Sequence, residues 1–140
     1  MNKTRGFTII ELVTVIAILG ILAAVALPKF FDVTTDAANA AAKGVAGALA
    51  SGSAVNYGAR LAKGVGQCAA GGTPCYKGPT TEWCSSGVLG NLINGGMPAG
   101  FTIGGSFVPG ATGTGVTGTC TVTSTSGGAA QNATIIAVVD

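Results

Sequence analysis

Hydrophobic positions dominate the start of the chain, where an almost unbroken apolar run extends from Phe7 to Leu27. As a helix with ~1.5 Å rise per residue, this run is ~31 Å long, which matches the hydrocarbon core of a bilayer. The pattern therefore predicts a transmembrane helix. The interruptions within the run are Thr8, Glu11, Thr14 and Gly20.

Residues 29–63 have a different pattern, in which alanine and glycine are frequent and polar residues are spaced between them. Apolar positions recur every three or four residues, which is the spacing of one helix face. We predict that the helix continues to Lys63. Pro28 is expected to bend it, because a proline removes one backbone hydrogen bond. The predicted buried face comprises Val33, Ala37, Ala41, Val45, Ala48, Gly52, Val55 and Ala59.

The remaining part of the chain, residues 64–140, is rich in glycine, proline and threonine, which is typical of loops and turns. A short helix is predicted within residues 84–96. Three β-branched stretches, at residues 100–108, 118–126 and 132–139, predict antiparallel strands that form a meander. The predicted fold class is therefore α+β, with a long N-terminal helix packed on a small antiparallel sheet.

The charge distribution limits the classes of function. The chain is 9% charged, carries a net charge of +2 and contains no histidine, so it does not present the charge of a nucleic-acid-binding domain. The carboxylates of residues 64–140 are Glu82 and Asp140, and they do not make a catalytic set with a base or nucleophile. We expect no enzymatic activity and no cofactor.

Lys3 and Arg5 precede the apolar run, so the positive-inside rule predicts a cytoplasmic N-terminus with the rest of the chain outside.

Four cysteines follow the apolar run, which predicts two disulfides formed in an oxidising compartment. Four cysteines allow three pairings. We favour Cys84–Cys120, because this pair brackets the first predicted strand, together with Cys68–Cys75, which would close a small loop. A zinc site is the alternative, although the spacing from Cys68 to Cys75 is wider than usual and the chain offers no histidine ligand. We therefore expect no metal.

The residues at the start of the apolar run form a motif. Two cations precede Gly6 and Phe7, Glu11 is the fifth residue counted from Phe7, and the membrane-length run follows. This segment, RGFTIIELVTVIAILGILAAVALPKF, resembles the class III signal sequences of type IV prepilins and the related pseudopilins. The resemblance covers about the first 30 residues. Residues 28–60 are also similar to the mannose-sensitive-haemagglutinin-like branch of pilins.

The resemblance implies that prepilin peptidase removes a leader of residues 1–6 by cutting after Gly6. The same enzyme would then methylate the new amine of Phe7. The mature chain would consist of a transmembrane and filament-core helix (7–28), the amphipathic half of that helix (29–63) and a loop-rich globular region with a three-stranded sheet (64–140).

Glu11 is the one charged residue inside the apolar run. An ionised carboxylate at membrane depth costs at least ~2.5 kcal/mol, so such a residue normally has a partner. The resemblance implies that Glu11 of an incoming subunit pairs with the Phe7 amine of its neighbour during assembly. It also implies an assembly role for Gly20 and Pro28, which would flank a weak helix segment that loses order in the filament. The alternative is that both are ordinary residues of transmembrane helices.

The function implied by the resemblance is that of a structural subunit of a type IV pilus, which serves adhesion, motility or surface attachment. Its partners would be copies of itself in a helical filament, prepilin peptidase and the pilus assembly machinery. It would reside in the inner membrane as a precursor and then in the extracellular pilus. The alternatives are a type II secretion pseudopilin and a DNA-uptake minor pilin. The DNA-uptake pilin would need a basic patch, which could consist of Arg60, Lys63 and Lys77. Three cations are a weak basis for phosphate contacts, so we do not expect nucleic acid as a partner.

Overall fold

A computed structural model describes most of the chain. It covers residues 6–64, 66–70, 75–111 and 114–139, apart from the side chains of Phe31 and Asp32. The predictions made for Lys3, Arg5 and Asp140, and for the leader before Gly6, lie outside these residues. The chain divides into two compact units, Met1–Thr34 and Thr35–Asp140.

The first element is a helix of 55 residues, α1 (Ile9–Lys63), which contains Pro28. The predicted bend at Pro28 stays a prediction. In the first unit, each large apolar side chain between Phe7 and Leu27 exposes about half or more of its surface. Within the described residues, α1 is the one helix whose length and composition would allow it to cross a membrane.

The second unit contains the remaining elements. A four-residue helix, α2 (Ser86–Leu89), leads into a 3-10 turn at Gly90–Leu92. The strands are β1 (Phe101–Gly104), β2 (Thr117–Ser124) and β3 (Gln131–Ile136). They form an antiparallel sheet in the order β1-β2-β3, so the predicted α+β class with a three-stranded meander is confirmed.

The register of the sheet places its buried residues on one face. Ile103 pairs with Val122 across β1 and β2, and Cys120 pairs with Ala133 across β2 and β3. β1 is shorter than the predicted stretch of residues 100–108. It ends at Gly104, because Gly105 has a φ of +91°, a conformation that favours glycine and leaves the extended region.

The buried face of α1 is not the predicted one. The buried positions are Ala38, Ala42, Ala46, Leu49, Ser53, Asn56 and Arg60. The predicted face is rotated from it by about one residue, or ~100° around the helix, and includes Val33 and Val55, which are well exposed. Alanine occupies both faces, so apolar periodicity alone does not distinguish them.

The core lies between the buried face of α1 and the sheet. Its largest members, Trp83, Leu49, Leu89, Ile135 and Val122, are fully buried. The Trp83 indole Nε1–H donates to the Pro79 carbonyl oxygen over 2.7 Å, so the polar atom of this buried ring is satisfied. A second, smaller cluster consists of Cys68, Cys75 and Val138, with Tyr57 and Ala59 packed against it.

Candidate functional site

The start of α1 is capped by a reciprocal pair of side chains. The Glu11 carboxylate oxygen Oε2 accepts hydrogen bonds from the Thr8 backbone N–H and from the Thr8 hydroxyl, each over 2.8 Å. The Glu11 N–H in turn donates to Thr8 Oγ1 over 3.3 Å. This is a capping box, in which residues three apart satisfy each other's free backbone donors. We did not predict it, although the spacing Thr-x-x-Glu at residues 8–11 is its sequence signal.

The capping box uses one of the two carboxylate oxygens of Glu11. The other, Oε1, has no hydrogen-bond partner among the described residues. A carboxylate has about four acceptor sites, so Glu11 can hold the helix start and accept from a further donor at the same time.

Gly6 and Phe7 precede α1 and are both exposed. A Cβ built on Gly6 would meet no atom within 4 Å, and the Phe7 side chain is 90% exposed. The peptide bond between the two residues is therefore accessible on the described surface. A larger residue at position 6 would meet no steric obstacle among the described residues.

Gly20 and Pro28 lie further along α1, and the structure does not bring them to Glu11. At ~1.5 Å rise per residue, Pro28 is ~26 Å along the helix from Glu11. A Cβ on Gly20 would meet nothing within 4 Å, so packing among the described residues does not require a glycine there.

The four cysteines form the disulfides Cys68–Cys75 and Cys84–Cys120, the pairing that we favoured. The Cα atoms are 4.7 Å and 5.3 Å apart, respectively, within the ordinary range for disulfides. Because disulfide sulfurs are not thiolates, these cysteines are not available as zinc ligands. Cys84–Cys120 ties the segment before α2 to strand β2 in the main core, and Cys68–Cys75 closes a loop on the smaller cluster.

Two polar side chains on the buried face of α1 attach distant segments to the helix. The Asn56 amide donates to the Tyr76 carbonyl oxygen over 2.9 Å and accepts from the Tyr76 N–H over 2.7 Å. Ser53 Oγ accepts from the Ile136 N–H over 3.2 Å. Buried polar groups satisfied in this way position the segments that they contact. Sequence reasoning missed both residues, because serine and asparagine in a helix normally indicate an exposed face.

Glu82 joins two loops of the distal region. Its carboxylate accepts from the N–H groups of Phe107 and Cys84, over 2.7 Å and 2.8 Å, and from the Ser106 hydroxyl over 2.7 Å. These donors stabilise the charged form of Glu82 and therefore hold its pKa below its usual range. The Phe107 N–H has the largest effect. Sequence reasoning noted this carboxylate only as a poor catalytic candidate.

The basic patch considered for DNA binding is not assembled as expected. Arg60 is 9% exposed and belongs to the buried face of α1, whereas Lys63 and Lys77 are exposed. Phosphate contacts require accessible cations. The structure therefore removes one of the three candidate contacts.

Comparison with known proteins identifies the first segment. Residues 1–27 match the family profile described as the prokaryotic N-terminal methylation motif. The N-terminal segment therefore carries this motif, and it is similar to the start of proteins named pilins and fimbrial proteins. Its sequence is 66% identical over 32 residues to the type IV major alpha-pilin of Moraxella bovis. This match covers 23% of this chain and 20% of that protein.

Two other relatives match this chain over longer ranges. The type IV narrow pilus major component PilA5 of Thermus thermophilus is 42% identical over 66 residues, 47% of this chain and 55% of that protein. A fimbrial protein of Dichelobacter nodosus is 42% identical over 91 residues, 65% of this chain and 48% of that protein. The chain thus spans about half or less of the length of the curated relatives it matches. No solved structure matched it. The likeness to the mannose-sensitive-haemagglutinin branch stays a prediction.

Proposed function

We propose that this chain is the structural subunit of a type IV pilus and polymerises through the exposed apolar half of α1. The observation that carries the proposal is the methylation motif of residues 1–27 on a helix whose large apolar side chains make no core of their own. A membrane-length helix of this kind needs an apolar surrounding. The bilayer supplies it before assembly, and neighbouring helices supply it in the filament.

Processing is the first step of the proposal. Prepilin peptidase cuts after Gly6, releases residues 1–6 and methylates the amine of Phe7. The exposure of Gly6 and Phe7 ahead of the first helical turn supports access by the enzyme. The mature chain is then anchored in the inner membrane by residues 7–28, with residues 64–140 on the outer side, where disulfides form.

Assembly is the second step. The free Oε1 of Glu11 accepts from the Phe7 amine of a neighbouring subunit, while Oε2 remains in the capping box with Thr8. Pairing in an apolar filament core matters because each unpaired charge there would be strongly disfavoured. Copies of the chain are thus its main partner, with the pilus assembly machinery acting on the membrane-bound form.

The two alternatives receive less support. The burial of Arg60 weakens the basic patch that a DNA-uptake pilin would use. The relatives that match are named pilins and fimbrial proteins, which favours a pilus subunit over a secretion pseudopilin.

The decisive experiment separates the charge of Glu11 from its capping role. Glu11→Gln retains a side chain that can complete a capping box but removes the charge. We expect normal amounts of mature protein in the membrane and few or no surface filaments, measured by immunoblotting of membrane and sheared fractions. The matched control is Thr8→Ala, which removes the cap and keeps the charge, and it should retain filaments. Normal filament numbers in Glu11→Gln would show that the pairing account is wrong.

Processing is tested separately by the mass and N-terminal sequence of sheared surface material. We expect a chain that begins with methylated Phe7. Filaments that retain residues 1–6 would contradict the processing step and leave the assembly step open to the Glu11 test.

A further inference from the structure

A solvent-exposed turn follows the 3-10 turn of the distal region. The Gly96 N–H donates to the Ile93 carbonyl oxygen over 3.0 Å, which places Asn94 and Gly95 at the centre of a four-residue turn. Asn94 is exposed. Among the described residues, neither its side-chain amide nor the Gly95 N–H has a hydrogen-bond partner. Both groups are therefore free to react with each other.

We propose that Asn94 is a site of spontaneous deamidation. The Gly95 backbone nitrogen, after losing its proton to solvent, attacks the Asn94 Cγ atom. The Cγ–Nδ2 bond breaks, and the side-chain nitrogen leaves as ammonia with a proton from water. The five-membered succinimide ring is then opened by water. Attack at Cγ gives aspartate, and attack at the backbone carbonyl carbon gives isoaspartate.

The turn leaves room for this ring to close. Gly95 and Gly96 have φ values of +91° and +82°. A Cβ built on either residue would meet no atom within 4 Å. The space beside both glycines is therefore open, and glycine permits a wide range of backbone angles at Gly95 and Gly96.

The other described asparagines differ in ways that make them internal controls. Asn39 Oδ1 accepts from the Ala129 N–H over 2.6 Å, and the Asn56 amide makes two hydrogen bonds to Tyr76. The Asn91 amide donates to the Gly87 carbonyl oxygen over 2.6 Å. Asn132 is exposed but precedes Ala133, whose Cβ hinders attack by the backbone nitrogen.

The product adds a carboxylate to a region that has few. Residues 64–140 contain Glu82 and Asp140 as acids, and conversion at Asn94 lowers the formal net charge of the chain from +2 to +1. The reaction needs only the turn and water, so this proposal does not depend on the proposed function.

The test uses the purified full chain in detergent, incubated at several pH values from neutral to mildly alkaline. Peptide mapping by mass spectrometry follows the five described asparagines, and isoelectric focusing follows the acidic product. We expect Asn94 to convert first. Its rate should rise roughly tenfold for each pH unit, because the deprotonated fraction of the Gly95 amide does so. Asn94→Ser should abolish the acidic product.

Three results would overturn the proposal. One is conversion at Asn94 that is no faster than at Asn132. Another is an acidic product that persists in Asn94→Ser, because a different residue would then be its source. The third is conversion of Asn94 in the urea-denatured chain but not in the folded chain, which would show that the turn blocks the reaction.

Discussion

The two oxygens of the Glu11 carboxylate have different surroundings, and this bears on how a charge is tolerated in an apolar helix. Oε2 accepts hydrogen bonds from Thr8, and Oε1 has no hydrogen-bond partner among the described residues. The capping bonds order the first turn of α1, whereas the proposed pairing with a neighbour's amine uses the other oxygen. A substitution at residue 11 therefore has to be compared with one at residue 8.

A second residue-scale prediction concerns Glu82. Glu82→Gln replaces one carboxylate oxygen by an NH₂ group, which cannot accept from Cys84, Phe107 or Ser106. We expect a lower free energy of unfolding at neutral pH, measured by urea titration of the fluorescence of Trp83, the single tryptophan.

The same carboxylate predicts a pH dependence. Its folded-state pKa is lowered, so the stability it contributes is present above the unfolded pKa of about 4.3. That stability is lost as the pH falls through the lower folded-state value. The difference between wild type and Glu82→Gln should therefore shrink at acidic pH. A difference that is constant between neutral and acidic pH would mean that the carboxylate charge is not what stabilises the two loops.

At the scale of elements, α1 lies against the 3-10 turn at Gly52. A Cβ built on Gly52 would overlap the Leu92 carbonyl oxygen, which is backbone and cannot move independently. Gly52→Ala should therefore lower the free energy of unfolding by about 1–3 kcal/mol, as overpacking does. Urea titration followed by Trp83 fluorescence measures the change.

The matched control is Gly47→Ala on the same helix. A Cβ at Gly47 meets no atom within 4 Å, and alanine is favoured over glycine in a helix by ~1 kcal/mol. This variant should be slightly more stable than wild type, provided that no neighbouring subunit is present. Equal effects of the two substitutions would show that α1 and the 3-10 turn are not in close contact.

At the scale of the whole molecule, the two disulfides should differ in their contribution to stability. Cys84–Cys120 closes a loop with a sequence separation of 36. By the chain-entropy relation, such a disulfide raises the free energy of unfolding by about 4 kcal/mol. The separation of 7 at Cys68–Cys75 gives about 2 kcal/mol by the same relation. Paired Cys→Ala variants of each disulfide, compared by urea titration, should follow this order. The reverse order would indicate that loop length does not govern their effect.

Much of this protein followed from the sequence by itself, because the features concerned are local. The apolar run after Phe7 has the length of a bilayer, β-branched stretches separated by glycine gave the three strands, and the pairing of Cys84 with Cys120 agreed with the bracketing of the first strand. Periodicity and composition carry this information within a few residues. Even the capping box at Thr8 and Glu11 had a local signal that we did not use.

The tertiary structure alone decided which face of α1 is buried and which polar residues position the distal segments. Asn56 bonds to Tyr76, 20 residues away, and Ser53 bonds to Ile136, 83 residues away. Alanine lies on both helix faces, and the buried face carries Ser53, Asn56 and Arg60, so hydrophobicity does not identify it. Partners far apart in the sequence therefore determine the buried face, because each buried polar group needs a hydrogen bond that no local pattern reveals.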